Sequence, residues 1–216
     1  MSANIEFSLK DGEYLVKLAR RTVQYFFETN QVYKVDPSSV PEKLKIKTGV
    51  FVTINRYIRK SENEVEKELR GCIGFPYPIK PLYIGVIEAA LEAAFNDPRF
   101  PPLRRDELNK VIFEVTILTP PEEIKVTTPL EYLRKIVIGR DGLIIEKGFY
   151  RGLLLPQVPV EYGWTVEEYL MHLCMKAGLP PNSWLDKDTK IYRFSGKIFT
   201  EVSPNGQIVE ETLKHK

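Results

Sequence analysis

The sequence has little of what most often announces a function. Among its 216 residues are two cysteines, Cys72 and Cys174, and two histidines, His172 and His215. Two cysteines make no disulfide framework, and both are expected to be reduced. So few soft ligands cannot assemble a zinc-type cluster, and Cys174 and His172 would point about 200° apart around a helix, too far to chelate one ion. No run approaches the roughly 18 uninterrupted apolar residues of a membrane-spanning helix. The N-terminus, Met1–Glu6, lacks the basic region and apolar core of a signal peptide, so a cytoplasmic protein is expected. A net charge of +2 is too small to give a general attraction to nucleic acid or acidic membranes. There is no GxxxxGK[ST], no GxGxxG opening a helix and no EF-hand spacing, so no nucleotide, metal or other cofactor is expected.

What is present, 43% hydrophobic and 28% charged residues, is an ordinary globular composition. Ser8 with Asp11 reads as a capping box, and Leu15, Leu18, Ala19, Thr22 and Phe26 then recur at helical spacing, leaving Lys17, Arg20 and Arg21 as a solvated basic face. Asp36–Pro41 breaks the chain. Val50, Val52 and Ile54 alternate as a buried strand, paired through a mixed-charge tip at Arg59–Glu64 with a strand that contains Leu69–Gly74. Leu82–Phe95 is expected as a packing helix with a thin face of Ala89, Ala90, Ala93 and Ala94, stopped by Asn96–Pro102. Val111–Leu118 is a further strand.

After Pro120–Pro121 the composition shifts toward short strands and turns, the sign of a second lobe. Asp141-Gly142 predicts a hairpin joining Ile136–Ile138 to Leu143–Ile145. Leu153–Pro159 reads as a buried strand in which Gln157 either satisfies backbone groups or faces a ligand. Thr165 and Glu168 cap a helix whose apolar stripe includes Cys174, and Gly178 ends it. Helices mixed irregularly with antiparallel hairpins argue for an α+β fold with two layers.

The most unusual stretch is Leu69-Arg70-Gly71-Cys72-Ile73-Gly74. Alternation puts Arg70, Cys72 and Gly74 on one face, with Arg70 and Cys72 roughly 7 Å apart, a cation near a candidate nucleophile. Gly71 and Gly74 admit a positive φ or the close approach of a backbone or a ligand. On chemistry alone two readings stay open: a strand that packs its cysteine as a small hydrophobe, and a thiol site. Arg99, held in a proline-stiffened loop, is a candidate second cation, and an ion pair with Asp97 is the competing reading.

The hexapeptide resembles the signature of the AMMECR family. The resemblance continues, in the family's order, through Asn96–Phe100, Gly139–Leu143, Leu155–Val158 and Lys176–Leu179, and covers about Tyr14 to Val202. It implies one domain over residues 1–216 made of two adjoining two-layer α+β lobes with mainly antiparallel sheets. Many family members carry a His where this chain has Asp141, which removes a Cys–His dyad from that position. The resemblance also implies partners of Memo-like or radical-SAM type, in modification of RNA or another biomolecule.

Three functions are therefore weighed. In the first, an enzyme or ligand-binding site surrounds Cys72, with Arg70 lowering the thiol pKa or binding an anionic ligand, Gly71 and Gly74 shaping the pocket, and Asp97, Arg99 and Gln157 completing it. In the second the chain is a non-catalytic binding module. In the third the signature is packing alone. Cys72 is expected largely buried beside a cleft and Cys174 within the core. Arg70→Ala is expected to spare stability, and Gly71→Val to reduce it.

Overall fold

Ser8 opens the first helix as its spacing requires: its hydroxyl accepts from the Asp11 amide, and the Asp11 carboxylate accepts from the Ser8 amide at 2.7 Å. The computed structural model describes residues 6–61 and 64–211. Glu62 and Asn63, at the expected tip of the first hairpin, lie outside the described residues, as does His215. The described residues divide into two compact units, one ending at Leu118 and resumed at Lys197–Glu211, the other Thr119–Gly196.

In the first unit, α1 (Leu9–Thr29) is followed by β1 (Val50–Arg59), β2 (Val65–Phe75), α2 (Leu82–Leu91) and β3 (Val111–Leu118). β1 pairs antiparallel with both β2 and β3. Val50, Val52 and Ile54 of β1 and Phe113 and Val115 of β3 are fully buried with Leu15 and Ala19 of α1 and Val86 and Ala90 of α2. That is one apolar face of a sheet covered by two helices. The last turn of α2 widens into a π-helical segment, Glu92–Asn96, before Asp97 leaves in an extended conformation.

Arg20 departs from the expected solvated face. It is 5% exposed and forks onto Glu201, with Nε to Oε1 at 2.6 Å and Nη2 to Oε2 at 2.5 Å. Helical spacing located the residue but not its partner, which is 181 positions away.

The second unit carries β4 (Glu122–Glu123), α3 (Tyr132–Lys135), β5 (Gly142–Lys147), β6 (Tyr150–Leu154), α4 (Gln157–Tyr162), α5 (Val166–Lys176) and β7 (Lys190–Phe194). Its sheet runs β4-β7-β5-β6. Leu143, Ile145, Tyr169, Leu170, Leu173, Cys174 and Ile191 form its core. Two local expectations are corrected here. Ile136–Ile138 forms no strand: the Asp141 carboxylate accepts the Val137 amide at 2.9 Å and closes a turn, and the hairpin is β5–β6, turning at Gly148 (φ +58°). Nor does a strand run from Leu153 to Pro159. It stops at Leu154, and Pro156, whose ring fixes φ near the helical value, leads into α4.

The chain then returns to the first unit with β8 (Gly196–Glu201) and β9 (Ile208–Glu211), giving a five-stranded sheet ordered β2-β1-β3-β8-β9. Its edges meet. Lys67 of β2 and Glu211 of β9 form an ion pair at 2.8 Å. In a flat sheet four strand spacings would separate those edges by on the order of 19 Å, farther than the two side chains reach. The sheet is therefore curled.

Candidate functional site

The face of this sheet turned away from α1 and α2 mixes polar and apolar residues. It carries Phe51, Thr53 and Asn55 of β1, all half-buried, and register places Gly74 opposite Phe51, Cys72 opposite Thr53 and Leu69 opposite Asn55. On the other side of Thr53 stands Glu114 of β3. Directly opposed residues share a face, so Cys72, Thr53 and Glu114 form one row across three strands. Lys67 and Glu211 lie on the same face, which makes it the concave one.

Cys72 is fixed by what β2 lacks. As an edge strand, β2 leaves alternate backbone groups without a partner strand, and at Cys72 both are taken by the loop after α2. The Cys72 amide donates to Asp97 Oδ2 at 2.9 Å, and the Cys72 carbonyl accepts from Arg99 Nη2 at 3.0 Å. Arg99 also donates to both Asp97 oxygens, Nε at 3.0 Å and Nη2 at 2.8 Å. With its amide and carbonyl directed outward, Cys72 makes a non-hydrogen-bonded pair with Thr53, the kind in which side chains stand closest. Accordingly Thr53 Oγ1 donates to Cys72 Sγ at 3.3 Å.

The charges of the row follow from this packing. Burial pushes the Cys72 thiol up from its ordinary value; the Thr53 hydrogen bond and Arg99 pull it partly back, and Glu114 and Asp97 push it further up. The thiol is protonated at rest. Hydrogen bonds from Arg99 hold the Asp97 carboxyl at about 2. Glu114 is half-buried by area, yet protein atoms crowd its carboxyl enough to push it up to about 7, and no hydrogen bond from a described residue offsets the burial.

Arg70 is not part of this row. A bulge at Ile54/Asn55 shifts the register, so Leu69 and Lys67, rather than Arg70, share the Cys72 face. Arg70 is 3% exposed; Nε and Nη2 fork onto Glu107 at 2.9 and 3.0 Å, and Nη1 donates to the Pro101 carbonyl at 2.9 Å. The expectation that it lowers the thiol pKa or holds an anion is corrected: its donors are spent on Glu107 and on backbone carbonyls. The two glycines are likewise occupied. A Cβ on Gly71 would sit 2.1 Å from the Ala93 carbonyl oxygen, and one on Gly74 2.4 Å from the Phe51 ring. Gly71 admits the π-helical turn and Gly74 the ring. Gln157 lies in the second unit as the first residue of α4 and is half-buried.

Thr53 and Glu114 were not singled out by sequence reasoning. The available signal was a lone carboxylate inside the apolar strand Val111–Leu118, and only strand register connects it with Cys72. Cys174 lies in the core of the second unit, wholly buried, and His172 stacks on Trp164 with ring centroids 3.8 Å apart. Among the described residues no group of three or more His, Cys, Asp or Glu could hold a metal ion, and no helix is long and apolar enough to cross a membrane.

A curled antiparallel sheet with a helix-covered face and a thiol, a hydroxyl and a carboxyl in one cross-strand row defines an α+β protein with a thiol-centred candidate site. A profile described as AMMECR1 matches residues 16–199, and the chain belongs to the AMMECR1 family. Protein MJ0810 of Methanocaldococcus jannaschii is 54% identical over 206 residues, covering 95% of this chain and 98% of its own. Protein PH0010 of Pyrococcus horikoshii is 51% identical over 209 residues, 96% of this chain and 98% of its own. The crystal structure of PH0010, described as an uncharacterised protein, aligns with a TM-score of 0.78 at 51% identity, over 94% of this chain and 97% of that one.

Proposed function

We propose that this protein is a small-molecule binding protein with thiol chemistry, whose working site is the concave sheet face centred on Cys72. One observation carries the reading: Cys72, Thr53 and Glu114 share a register row, and the carboxyl in that row titrates near neutrality. A nucleophile, a hydroxyl and a proton acceptor poised near the working pH are the parts that thiol attack requires. Addition to a polarised double bond forms an S–C bond as the π electron pair moves to the far atom, and the S–H proton passes to the Glu114 carboxylate, which stands in the same register row. A thiol protonated at rest reacts slowly, and faster when a substrate on the face favours its thiolate. Asp97 and Arg99 are positioning residues that hold the backbone of Cys72. Both cysteines are free thiols, which suits a reducing cytoplasm.

The test is residue-resolved alkylation by iodoacetamide between pH 6 and 10, for the wild type and for Cys72→Ser, Cys174→Ser and Thr53→Val. Cys72 is expected to label in the folded protein while Cys174 does not. Thr53→Val, which removes the hydrogen bond that favours the thiolate, is expected to slow Cys72 at fixed pH. Labelling of Cys174 at the same rate as Cys72 would overturn the reading.

A further inference from the structure

Around Cys72 on the concave face, every charged group among the described residues has a partner except one. Lys67, from β2, is committed to Glu211 of β9 at 2.8 Å. Arg99, from the loop after α2, is committed to Asp97 at 2.8 Å, and that carboxyl stays ionised down to about pH 2. These two pairs are locally neutral. The other nearby arginine, Arg70, is turned away and forked onto Glu107. What remains is Glu114, a crowded carboxyl that no described residue hydrogen-bonds, with the Cys72 thiol in the same row and Lys67 and Glu211 as the charged groups that act on it. An anion arriving beside Cys72 would find each described cation there already paired with a carboxylate. A cation would find a crowded, half-buried carboxylate that no described residue hydrogen-bonds, where a charge-assisted hydrogen bond is about twice as strong as a neutral one.

We propose that the ligand of this site is an aliphatic amine, seated with its ammonium group on the carboxylate of Glu114. This deepens the reading above and rests on the same face being the site. The ammonium group also explains how a resting thiol becomes active. A positive charge placed in the row offsets both the burial of Cys72 and the repulsion from Glu114 that hold the thiol protonated, so binding favours the thiolate. Linkage makes the effect reciprocal: a ligand that lowers the Glu114 midpoint by one pH unit binds tenfold tighter to the ionised carboxylate than to the acid.

The experiment uses the full chain with 13C-labelled glutamate carboxyls, titrated between pH 5 and 9 in butylammonium chloride, in sodium butyrate and in sodium chloride at equal ionic strength. The Glu114 resonance, assigned by its loss in Glu114→Gln, is expected to move its midpoint down by at least one pH unit in butylammonium and to stay in place in butyrate. Amide shifts of Thr53 and Cys72 in the wild type report binding even if the variant folds poorly. A further arm with Nα-acetyl-lysine methylamide separates the sources of the amine: tighter binding than butylammonium identifies a lysine side chain, and weaker binding a free amine. Amide shifts with butyrate and not butylammonium, or with neither, overturn the inference. The thiol reading is judged separately, by the ratio of Cys72 to Cys174 labelling.

Discussion

The carboxylate of Asp97 accepts the backbone amide of Cys72 at 2.9 Å, while its own partner Arg99 donates to the carbonyl of the same residue at 3.0 Å. One loop thus takes both outward backbone groups of an edge-strand residue. Removing the carboxylate leaves a buried amide without an acceptor, so Asp97→Ala is expected to cost about 1 to 3 kcal/mol in urea denaturation. The pH dependence has a definite sign. The folded pKa of Asp97 lies below its ordinary value, so its contribution is fully present above about pH 4 and is lost as pH falls toward 2. A variant that lost stability equally at pH 2 and pH 7 would remove the ionised carboxylate from the account.

Arg70→Ala is expected to lower thermal stability sharply and leave the alkylation midpoint of Cys72 unmoved. Arg70 is 3% exposed and forked onto Glu107, and removing one member of a buried pair typically costs about 3 to 5 kcal/mol. Lysine cannot reproduce the fork together with the Pro101 and Pro102 carbonyl contacts, so Arg70→Lys should fall nearly as far. A shifted Cys72 midpoint with unchanged melting would restore Arg70 to the site.

Glu114 should make the protein less stable as pH rises. Its folded pKa of about 7 lies above the ordinary 4.5, so between these values the folded state binds more protons than the unfolded one and stability falls. Glu114→Gln is therefore expected to be more stable than wild type at pH 8, by on the order of 2 to 3 kcal/mol, and no more stable at pH 4.5. Melting temperatures across that range decide it. A gain independent of pH would mean that titration of this carboxyl has no part in it.

The thiol of Cys72 should respond in opposite directions to its two charged neighbours. Arg99 pulls its pKa down and Glu114 pushes it up, so Arg99→Gln raises the alkylation midpoint and Glu114→Gln lowers it. Iodoacetamide rates against pH give both midpoints, and shifts of the same sign would refute the assignment.

Gly71→Ala should destabilise although it adds a single methyl group, because that methyl would fall 2.1 Å from the Ala93 carbonyl oxygen. Overpacking against backbone costs about 1 to 3 kcal/mol. Gly148→Ala meets nothing within 4 Å and is expected to lose only about 1 kcal/mol, the strain of its φ of +58°. Equal losses in chemical denaturation would show that contact with the π-helical turn is not what excludes a side chain at Gly71.

Much of this molecule was legible in local pattern. The capping boxes at Ser8 and Thr165 start their helices, the period-two runs at Val50 and Val111 are strands, and Cys174 falls in a core because its helical stripe is apolar. Local chemistry misled where two local rules competed. Asp141-Gly142 carries a hairpin signal, but the Asp141 side chain caps the Val137 amide and makes a different turn. The strand expected from Leu153 to Pro159 stops at Leu154, and Pro156 begins a helix, which the apolar run Leu153–Leu155 did not suggest.

The sequence by itself determined that Leu69–Gly74 is a strand with a thiol in it, since alternation and β-propensity are properties of neighbours in the chain. It could not say which side chains join Cys72. One extra residue in β2 at the bulge moves Arg70 off the row, because side-chain period is two and a one-residue shift exchanges the faces. The residues that replaced it come from elsewhere: Thr53 is 19 positions away, and Arg99 is 27. Pairing across strands and curling of the sheet are long-range events, decided by the apolar face that must be buried, and they set the company of the thiol.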